Sequence, residues 1–463
     1  MNRRHFATRT LMGAVAISCG LSRAEGKSGL GAAVSAADGA GLISPDAPTS
    51  GPFDIDCEFP GGNVIVDSIK GDKVWLHQDL RDTEGNWFYW YFRVRGAGGR
   101  YLDFHFTRVE GNGERNPAEP QTSVDWGARD VIGVHGPAVS VDGGQTWRWL
   151  GNNLVEGMNE LQDGSFRFVF PFAAEDVRFS VGIPYVQSNL DSFLDKYKGN
   201  RNLQRDMLCQ SKKGRQVELL HLGRLDGQPN YRVLFTARNH CCEAMANYAL
   251  EGIMAAALAD TEEGDWFRTH VEFLVAPFMD TDGVEDGDQG KNRRPHDHVF
   301  DYGSQSIYPS VRALEELVPR WSGRLLRFAL DMHDPDLRNP EDQQISFLEW
   351  GNEQMRKQVE RYCGILESVQ SGALPFNSKN NMLPGMTWTA DKNKPKPTSN
   401  HAQRSGSGGK GFSTWASELA GIWFATTVEI PYASAGGKTV APDSARALGG
   451  DMARALRAYL VSA

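Results

Sequence analysis

The sequence predicts an α/β fold, in which a mixed-sheet domain is preceded by an antiparallel β-sandwich domain. From Phe53 to about Gly182, short segments rich in aromatic and β-branched residues alternate with Gly, Asp and Asn, as antiparallel strands do. After Pro184, strand-like runs alternate with helical ones, which implies a mostly parallel or mixed sheet. The 463 residues suffice for two or three domains with real cores. We therefore place the sandwich at residues 53–182 and the α/β domain at residues 183–463.

The predicted sandwich strands are short and bounded by turn-forming residues. The run 87–94 carries aromatic residues on both faces, which favours a central strand that is buried on two sides. Its companions are predicted at 63–66, 73–76, 101–106 and 166–170. Residues 140–147 also match the S-x-D-x-G-x-T-W pattern called the Asp box. One copy indicates a single tight hairpin, because propellers repeat the motif at regular spacing.

The second domain shows a regular alternation of elements. Strands are predicted at 217–222, 231–237, 271–278, 325–332 and 425–430. Helices are predicted near 188–198, 244–259, 307–318, 352–369, 413–421 and 442–460. In such sheets, ligands bind outside the carboxyl ends of the strands. Residues at those ends are therefore the candidates for a functional site.

The N-terminus has the features of an export signal. Arg3 and Arg4 precede a short apolar run, 11–17, which resembles a bacterial Tat signal and is too short to span a membrane. Cleavage after Ala24 would leave residues 25–52, whose Gly, Ala, Ser and Pro content predicts a disordered linker. A lipoprotein anchored at Cys19 is a second reading. We expect a periplasmic or secreted protein.

The net charge of the chain indicates which classes of binding partner are not expected. Lys and Arg number 49 against 58 Asp and Glu, which gives a net charge of -9. Nucleic acids and anionic membranes attract basic surfaces, so neither is an expected partner. The charge leaves the oligomeric state open.

Three elements bring metal-binding residue types to one predicted sheet edge. His240 and Glu243 follow the strand 231–237, and His333 follows the strand 325–332. Glu429 lies in the apolar strand 425–430, where a buried carboxylate costs several kcal/mol unless it is paired or near a metal. Zinc accepts imidazole and carboxylate ligands, and catalytic zinc sites use three protein ligands. The spacing of His240 and Glu243 places both on one side of a predicted first helical turn.

This order, His-x-x-Glu, then His, then Glu, resembles that of the zinc carboxypeptidase family. The fuller pattern is similar to the cytosolic-carboxypeptidase-like branch, which carries an N-terminal β-sandwich, and it covers nearly all of the chain after the predicted linker. The quoted motifs are the sandwich start 59–63, the aromatic run 87–89, the junction 183–185, the Asp-rich turn 277–284, the histidine segment 331–333 and the glutamate strand 427–429.

The resemblance implies a role for each matching residue. His240, Glu243 and His333 would hold Zn²⁺, and Glu429 would act as general base and then as general acid. Arg293 would stabilise the oxyanion, with Arg294 as the alternative. The resemblance therefore implies a zinc metallopeptidase that acts on a peptide or amide substrate.

The sequence departs from the family where the substrate's C-terminal carboxylate would bind. Val299 and Phe300 stand where the family has an Asn-Arg pair, and Phe cannot replace a bidentate guanidinium. Either another cation (Arg294, Arg338 or Arg404) binds that carboxylate, or the substrate has none. The Gly-rich stretch 406–411 suggests a flexible lid.

Three functions remain open at this point. A carboxypeptidase-type hydrolase with altered recognition of the C-terminus leads. An amidohydrolase or deacylase on the same metal site comes second. A non-catalytic protein that binds glycans or peptides comes last, because it would not need Glu429 together with the three ligands.

Overall fold

Two kinds of sheet follow one another along the chain, and the predicted fold class is confirmed. The computed structural model describes residues 52–84, 87–107, 131–151, 164–303, 305–349, 351–383 and 410–462. The predicted export signal, Cys19, nearly all of the predicted linker, Arg404 and most of the predicted lid lie outside these residues. Within them, no helix combines the length and the apolar character that a bilayer span needs.

The N-terminal part contains two sheets. One has the strand order β1-β4-β9-β6-β7 and the other β2-β3-β5-β8. The strands are β1 (Asp54–Asp56), β2 (Ile65–Lys70), β3 (Lys73–His77), β4 (Tyr91–Arg95), β5 (Tyr101–Phe106), β6 (Ala138–Ser140), β7 (Arg148–Trp149), β8 (Ser165–Val169) and β9 (Asp176–Ser180). Pairing is antiparallel except between β3 and β5, which run parallel. The predicted antiparallel sandwich is therefore confirmed, and its one parallel pair among the described strands arises because the chain between β3 and β5 crosses to the other sheet and forms β4 there.

Aromatic side chains fill the space between these two sheets. The ring centroid of Phe104, from the second sheet, lies 5.4 Å from that of Phe92 and 5.3 Å from that of Phe179, both from the first sheet. Trp90 lies 4.6 Å from Phe106 and donates its indole N–H to the Val131 carbonyl. Offset and tilted ring pairs of this kind stabilise a core beyond the area that they bury. The aromatic pattern therefore predicted the sandwich core correctly.

The Asp box forms one hairpin, as predicted. β6 and β7 pair antiparallel across it. The Asp142 carboxylate accepts hydrogen bonds from the backbone N–H groups of Gln145 and Thr146. Burial would raise the pKa of Asp142, but these bonds, together with those from hydroxyl groups, hold it at about 2. The motif closes a turn.

The C-terminal part is built on a seven-stranded mixed sheet with the order β10-β11-β13-β12-β14-β16-β15. Its strands are β10 (Leu203–Gln210), β11 (Gln216–Gly223), β12 (Tyr231–Ala237), β13 (Val271–Ala276), β14 (Leu326–His333), β15 (Ser346–Phe347) and β16 (Phe424–Glu429). The four central strands β13, β12, β14 and β16 are parallel. Every residue of β13, β14 and β16 except Arg327 is buried, which explains their nearly continuous apolar runs. A small hairpin of β17 (Ser434–Ala435) and β18 (Lys438–Thr439) follows.

Helices cover this mixed sheet. They are α1 (Gln187–Asp195), α2 (Met245–Leu258), α3 (Glu262–His270), α4 (Thr281–Asp286), α5 (Pro309–Ser322), α6 (Glu353–Val369), α7 (Phe412–Ser417) and α8 (Pro442–Val461). The six predicted helices are all present. The short helices α3 and α4 escaped prediction, because acidic and polar residues interrupt their apolar pattern.

The aromatic run at the start of β4 differs from the prediction. The strand begins at Tyr91, and residues 87–90 are irregular. The Tyr89 backbone groups bind the side chain of Gln289, 200 residues further along the chain, instead of a neighbouring strand. The Gln289 side chain accepts from the Tyr89 backbone N–H at 2.9 Å and donates to the Tyr89 carbonyl at 2.8 Å. The backbone of the sandwich is thus paired with a loop of the α/β part.

Two glycines allow α2 and α8 to pack at close range. A Cβ added to Gly449 of α8 would lie 1.9 Å from the Ala249 carbonyl oxygen of α2. A Cβ added to Gly252 of α2 would lie 2.0 Å from the Arg446 carbonyl oxygen. Real side chains do not tolerate such distances to a backbone atom. The approach of α8 therefore fixes the position of α2, which begins two residues after Glu243.

We predict that Gly449→Ala destabilises the protein by about 1–3 kcal/mol, because the added methyl forces the two helices apart. Gly450→Ala is the matched control: a Cβ there meets no described atom within 4 Å. The Gly450→Ala variant should have an unchanged free energy of unfolding or one raised by up to about 1 kcal/mol, because Ala has the higher helix propensity. Urea unfolding of both variants measures the difference, and equal stabilities would contradict the proposed close packing.

Candidate metal and catalytic site

The strand ends bring the predicted residues together. His333 is the last residue of β14, Glu429 is the last residue of β16, and the two are paired in the register of these parallel strands. His240 and Glu243 follow β12, on the other side of β14. The predicted clustering at one sheet edge is therefore observed. The local structure differs in one respect, because His240–Glu243 form a turn and α2 begins at Met245.

The turn is held by groups at the same edge. The Asp334 carboxylate accepts from the backbone N–H groups of Met245 at 2.7 Å and Ala246 at 2.8 Å. These N–H groups belong to the first turn of α2, where a carboxylate replaces the missing intrahelical partners. Arg238, buried and with a positive φ of 62°, donates to the Cys241 carbonyl inside the turn. The helix start is thereby fixed at Met245, two residues after Glu243.

Three side chains form a candidate metal-binding cluster. The ligand atoms of His240, Glu243 and His333 all lie within 4.8 Å of one another. The Glu243 carboxylate lies between the two imidazoles, with Oε1 2.9 Å from His240 Nδ1 and Oε2 2.6 Å from His333 Nδ1. Glu243 is 1% exposed. The cluster thus presents two imidazole nitrogens and a carboxylate to a common point.

The donor set fits a zinc ion. Among the described residues, Glu243 Oε2 makes no hydrogen bond of acceptable geometry, although His333 Nδ1 is close. An orphaned buried carboxylate oxygen is costly, and a shared cation would satisfy it. Imidazole nitrogen and carboxylate oxygen are ligands that zinc accepts, and two His with one Glu is a set known from catalytic zinc sites.

A second carboxylate orients His333. Its Nε2 lies 2.7 Å from Asp331 Oδ2, and Asp331 Oδ1 accepts from Thr236 Oγ1 and Asn239 Nδ2. If His333 Nε2 donates to Asp331, the lone pair of Nδ1 faces Glu243 and the common point. Ligating histidines are usually held by such an outer carboxylate, which fixes the tautomer and raises the basicity of the ligand.

The two glutamates of the site have opposite electrostatic environments. Burial would raise the pKa of Glu243, but Lys291 and the two imidazoles hold it well below its ordinary value. Burial raises the pKa of Glu429 well above its ordinary value; His333 opposes this shift and the charge of Glu243 adds to it. Glu243 is thus held as a carboxylate, the form that binds a metal, whereas the proton-bearing form of Glu429 is favoured.

A lysine that the sequence reasoning passed over lies in the site. Lys291 is 8% exposed, and its Nζ lies 2.6 Å from Glu243 Oε1. Burial would lower the pKa of its ammonium, but the Glu243 carboxylate raises it above the ordinary value. The position of Lys291 between Gly290 and Asn292 gave no signal of burial, because every contact that buries it comes from distant parts of the chain.

Arg293, the predicted oxyanion cation, lies beside the site with its guanidinium already paired. The three partners are carboxylates: Asp82 at 2.9 Å, Asp280 at 2.5 Å and Asp288 at 3.1 Å. Burial would lower the pKa of Arg293, and these charges raise it far above its ordinary value. This arrangement is that of a structural ion-pair network, in which three carboxylates hold the guanidinium of Arg293.

The other predicted substrate-binding cations are also engaged elsewhere. Arg294 is 75% exposed at its side chain and pairs with Glu84. Arg338 donates from Nη1 to the Ile132 carbonyl at 2.6 Å. Val299 and Phe300, in a 3₁₀ turn, are partly exposed. Among the residues that the structure describes, the cation nearest the metal-binding cluster is therefore Lys291.

Comparison with known proteins agrees with this architecture. A metallo-carboxypeptidase from Burkholderia cenocepacia superimposes with a TM-score of 0.66 over 89% of this chain and 99% of that one, at 18% identity. The chain has the metallo-carboxypeptidase fold. The resemblance predicted from the sequence is thus confirmed at the level of the fold, and the similarity includes the N-terminal sheets.

The relatives found by sequence match a smaller part of this chain than that structure does. An uncharacterized protein from Zymomonas mobilis is 25% identical over 50% of this chain and 54% of its own length. Human cytosolic carboxypeptidase 4 is 22% identical over 68% of this chain and 29% of its own length. The chain thus spans about half of the first relative and under a third of the second. A scan against models of known protein families finds no match.

We predict that Arg293→Met destabilises the protein by about 3–5 kcal/mol, because it leaves three carboxylates without their common cation. The neighbouring Arg294→Met should change stability by less than about 1 kcal/mol, since an exposed ion pair contributes little. Urea unfolding at low and high salt tests the pair of variants. If Arg293→Met were as stable as Arg294→Met, the structural role of Arg293 would be refuted.

Proposed function

We propose that the protein is a zinc-dependent hydrolase of the carboxypeptidase type, which cleaves a peptide or amide bond. The observation that supports this most directly is the alignment of His240, Glu243 and His333 around one point, with Glu429 paired to His333 on the next strand. A binding protein would not need a buried carboxylate with a raised pKa beside three metal ligands. The metallo-carboxypeptidase fold agrees with this proposal.

Each residue then has a defined task. His240, Glu243 and His333 hold the zinc, and Asp331 keeps His333 in the tautomer that can bind a metal. When bound, zinc supplies Lewis acidity that polarises a carbonyl and makes water more acidic. Glu429 takes a proton from the attacking water and delivers it to the leaving nitrogen. Its burial favours the first of these steps, because the proton-bearing form is stabilised there.

The substrate end of the site favours a second candidate on the same chemistry. With Val299 and Phe300 in place of an Asn-Arg pair, no guanidinium stands at these two positions to hold a terminal carboxylate. An amide or acyl substrate without a free carboxylate would suit it, which gives an amidohydrolase or deacylase. The twin-arginine N-terminus supports the further proposal that the enzyme works outside the cytoplasm, on periplasmic or secreted substrates such as cell-wall peptides.

We predict that Glu429→Gln keeps the metal and loses at least about 10²-fold in kcat, since Gln cannot transfer a proton. His333→Ala is the contrasting variant, and it should lose the metal as well as the activity. Zinc content by atomic emission and hydrolysis of a panel of labelled peptides measure both. Full activity of Glu429→Gln would contradict the assigned base, and full activity of metal-free protein would contradict the zinc-dependent mechanism.

The substrate class can be tested with matched peptides. We predict that acyl-dipeptides with free and amidated C-termini are cleaved with kcat/KM values within about tenfold of each other, because Val299 and Phe300 cannot form the bidentate clamp whose hydrogen bonds to a carboxylate would discriminate more strongly. The comparison needs one peptide sequence in both forms at one pH. A preference for the free terminus of 10³-fold or more would show that another cation binds the carboxylate.

A further inference from the structure

We propose that Lys291 is the residue that stabilises the negative charge on the substrate's carbonyl oxygen during hydrolysis, and that the N-terminal sheets hold it in place. This inference rests on the proposed function. It assigns to a lysine the role that the sequence analysis gave to Arg293, and it makes the sandwich a structural part of the catalytic site.

The ammonium of Lys291 is where such a cation has to be. Its Nζ is 2.6 Å from Glu243 Oε1, the oxygen that also lies 2.9 Å from His240 Nδ1. It therefore lies at the edge of the metal-binding cluster. An ammonium has three N–H donors. Among the described residues, Glu243 is the one carboxylate within ion-pairing distance of it, so donors remain for a substrate oxygen.

The surroundings of the ammonium strengthen its field. Nζ lies 5.0 Å from the centroid of the Trp87 ring and 5.9 Å from that of Phe88, and the side chain is 10% exposed. Aromatic faces attract a cation and exclude water from it. A charge in such a water-poor site acts on a developing oxyanion more strongly than it would in bulk solvent.

The sandwich holds the loop that carries Lys291. The Asp82 carboxylate accepts from the backbone N–H groups of Gln289 and Gly290, both at 2.9 Å. Thr83 donates from its hydroxyl to the Lys291 carbonyl at 2.5 Å. Just beyond the lysine, the Glu84 backbone N–H donates to the Asn292 carbonyl at 3.0 Å. The backbone on both sides of Lys291 is thus fixed by three successive residues of the N-terminal part.

These contacts also explain why Arg293 is not the catalytic cation. Asp82 binds the loop backbone and Arg293 Nε at once, and Asp280 and Asp288 pair with the other two guanidinium nitrogens. Arg293 thereby anchors the loop. Lys291, two residues earlier, is the member of the loop whose charge reaches Glu243.

The proposed step balances as follows. The water oxygen forms a bond to the carbonyl carbon, and the electron pair of the C=O double bond moves onto the carbonyl oxygen, where the Lys291 ammonium stabilises it. Glu429 accepts a proton from the water. The pair on oxygen then re-forms the double bond, the C–N bond breaks, and Glu429 gives its proton to the nitrogen. Lys291 keeps its protons throughout.

The test compares Lys291→Met, Lys291→Arg and the surface control Lys357→Met, whose side chain is 68% exposed on α6. Lys291→Met should lower kcat by about 10²–10³-fold, the effect of removing an oxyanion-stabilising donor, while KM changes little. Lys291→Arg should recover part of that loss, and Lys357→Met should behave as the wild type. Zinc content should remain near one per chain in all three.

A second measurement needs no turnover. In the cobalt-substituted protein, methylphosphonate should perturb the visible spectrum of the metal, and Lys291→Met should weaken its binding by at least tenfold. Unchanged kcat, unchanged phosphonate affinity, or loss of metal from Lys291→Met would each overturn the role of Lys291. Absence of hydrolysis by the zinc-loaded wild type would instead overturn the proposed function, and the phosphonate comparison would still decide whether Lys291 binds an anion.

Discussion

The burial of the Glu243 carboxylate is the constraint on which the rest of the structure depends. A carboxylate that is 1% exposed must find positive charge close by, because an isolated buried ion costs far more than a folded protein can spare. The chain surrounds it with two imidazoles from different strand ends and with an ammonium from a distant loop. Strand order, the start of α2 and the course of the loop 287–293 can all be understood as ways of bringing these groups to one point.

The sheet edge supplies the precision for this arrangement. His333 and Glu429 end neighbouring parallel strands, so their separation is set by the ladder and not by flexible loops. Outer carboxylates add a second level of support, with Asp331 behind His333 and Asp334 under the first turn of α2. Sites built on strands and supported in this way hold their geometry better than sites built on loops alone. The close helix contact at Gly252 and Gly449 extends that support to α8.

Local sequence patterns predicted the fold and the candidate ligands. They failed for features that depend on contacts between residues far apart in the sequence. The buried strands, the six predicted helices and the positions of His240, Glu243, His333 and Glu429 follow from apolar runs and from residue order, which neighbouring residues determine. The irregular backbone at Trp87–Trp90 depends on Gln289, which lies 200 residues from Tyr89. From the sequence, Arg293 and Arg294 were the candidates for the oxyanion-stabilising cation, and Lys291 was passed over. The structure adds what the sequence could not show: the guanidinium of Arg293 is already paired with the carboxylates of Asp82, Asp280 and Asp288.

The loop 287–293 also sets the order in which the site can be completed. Its partners in the sandwich precede it by about 200 residues, as in the Thr83–Lys291 bond at a separation of 208. Chain closure over that distance is slow compared with the formation of local helices and hairpins. The ligand turn and its strands can assemble while the loop is still unattached. A partly folded molecule would then hold the three candidate ligands before the ammonium of Lys291 has reached Glu243.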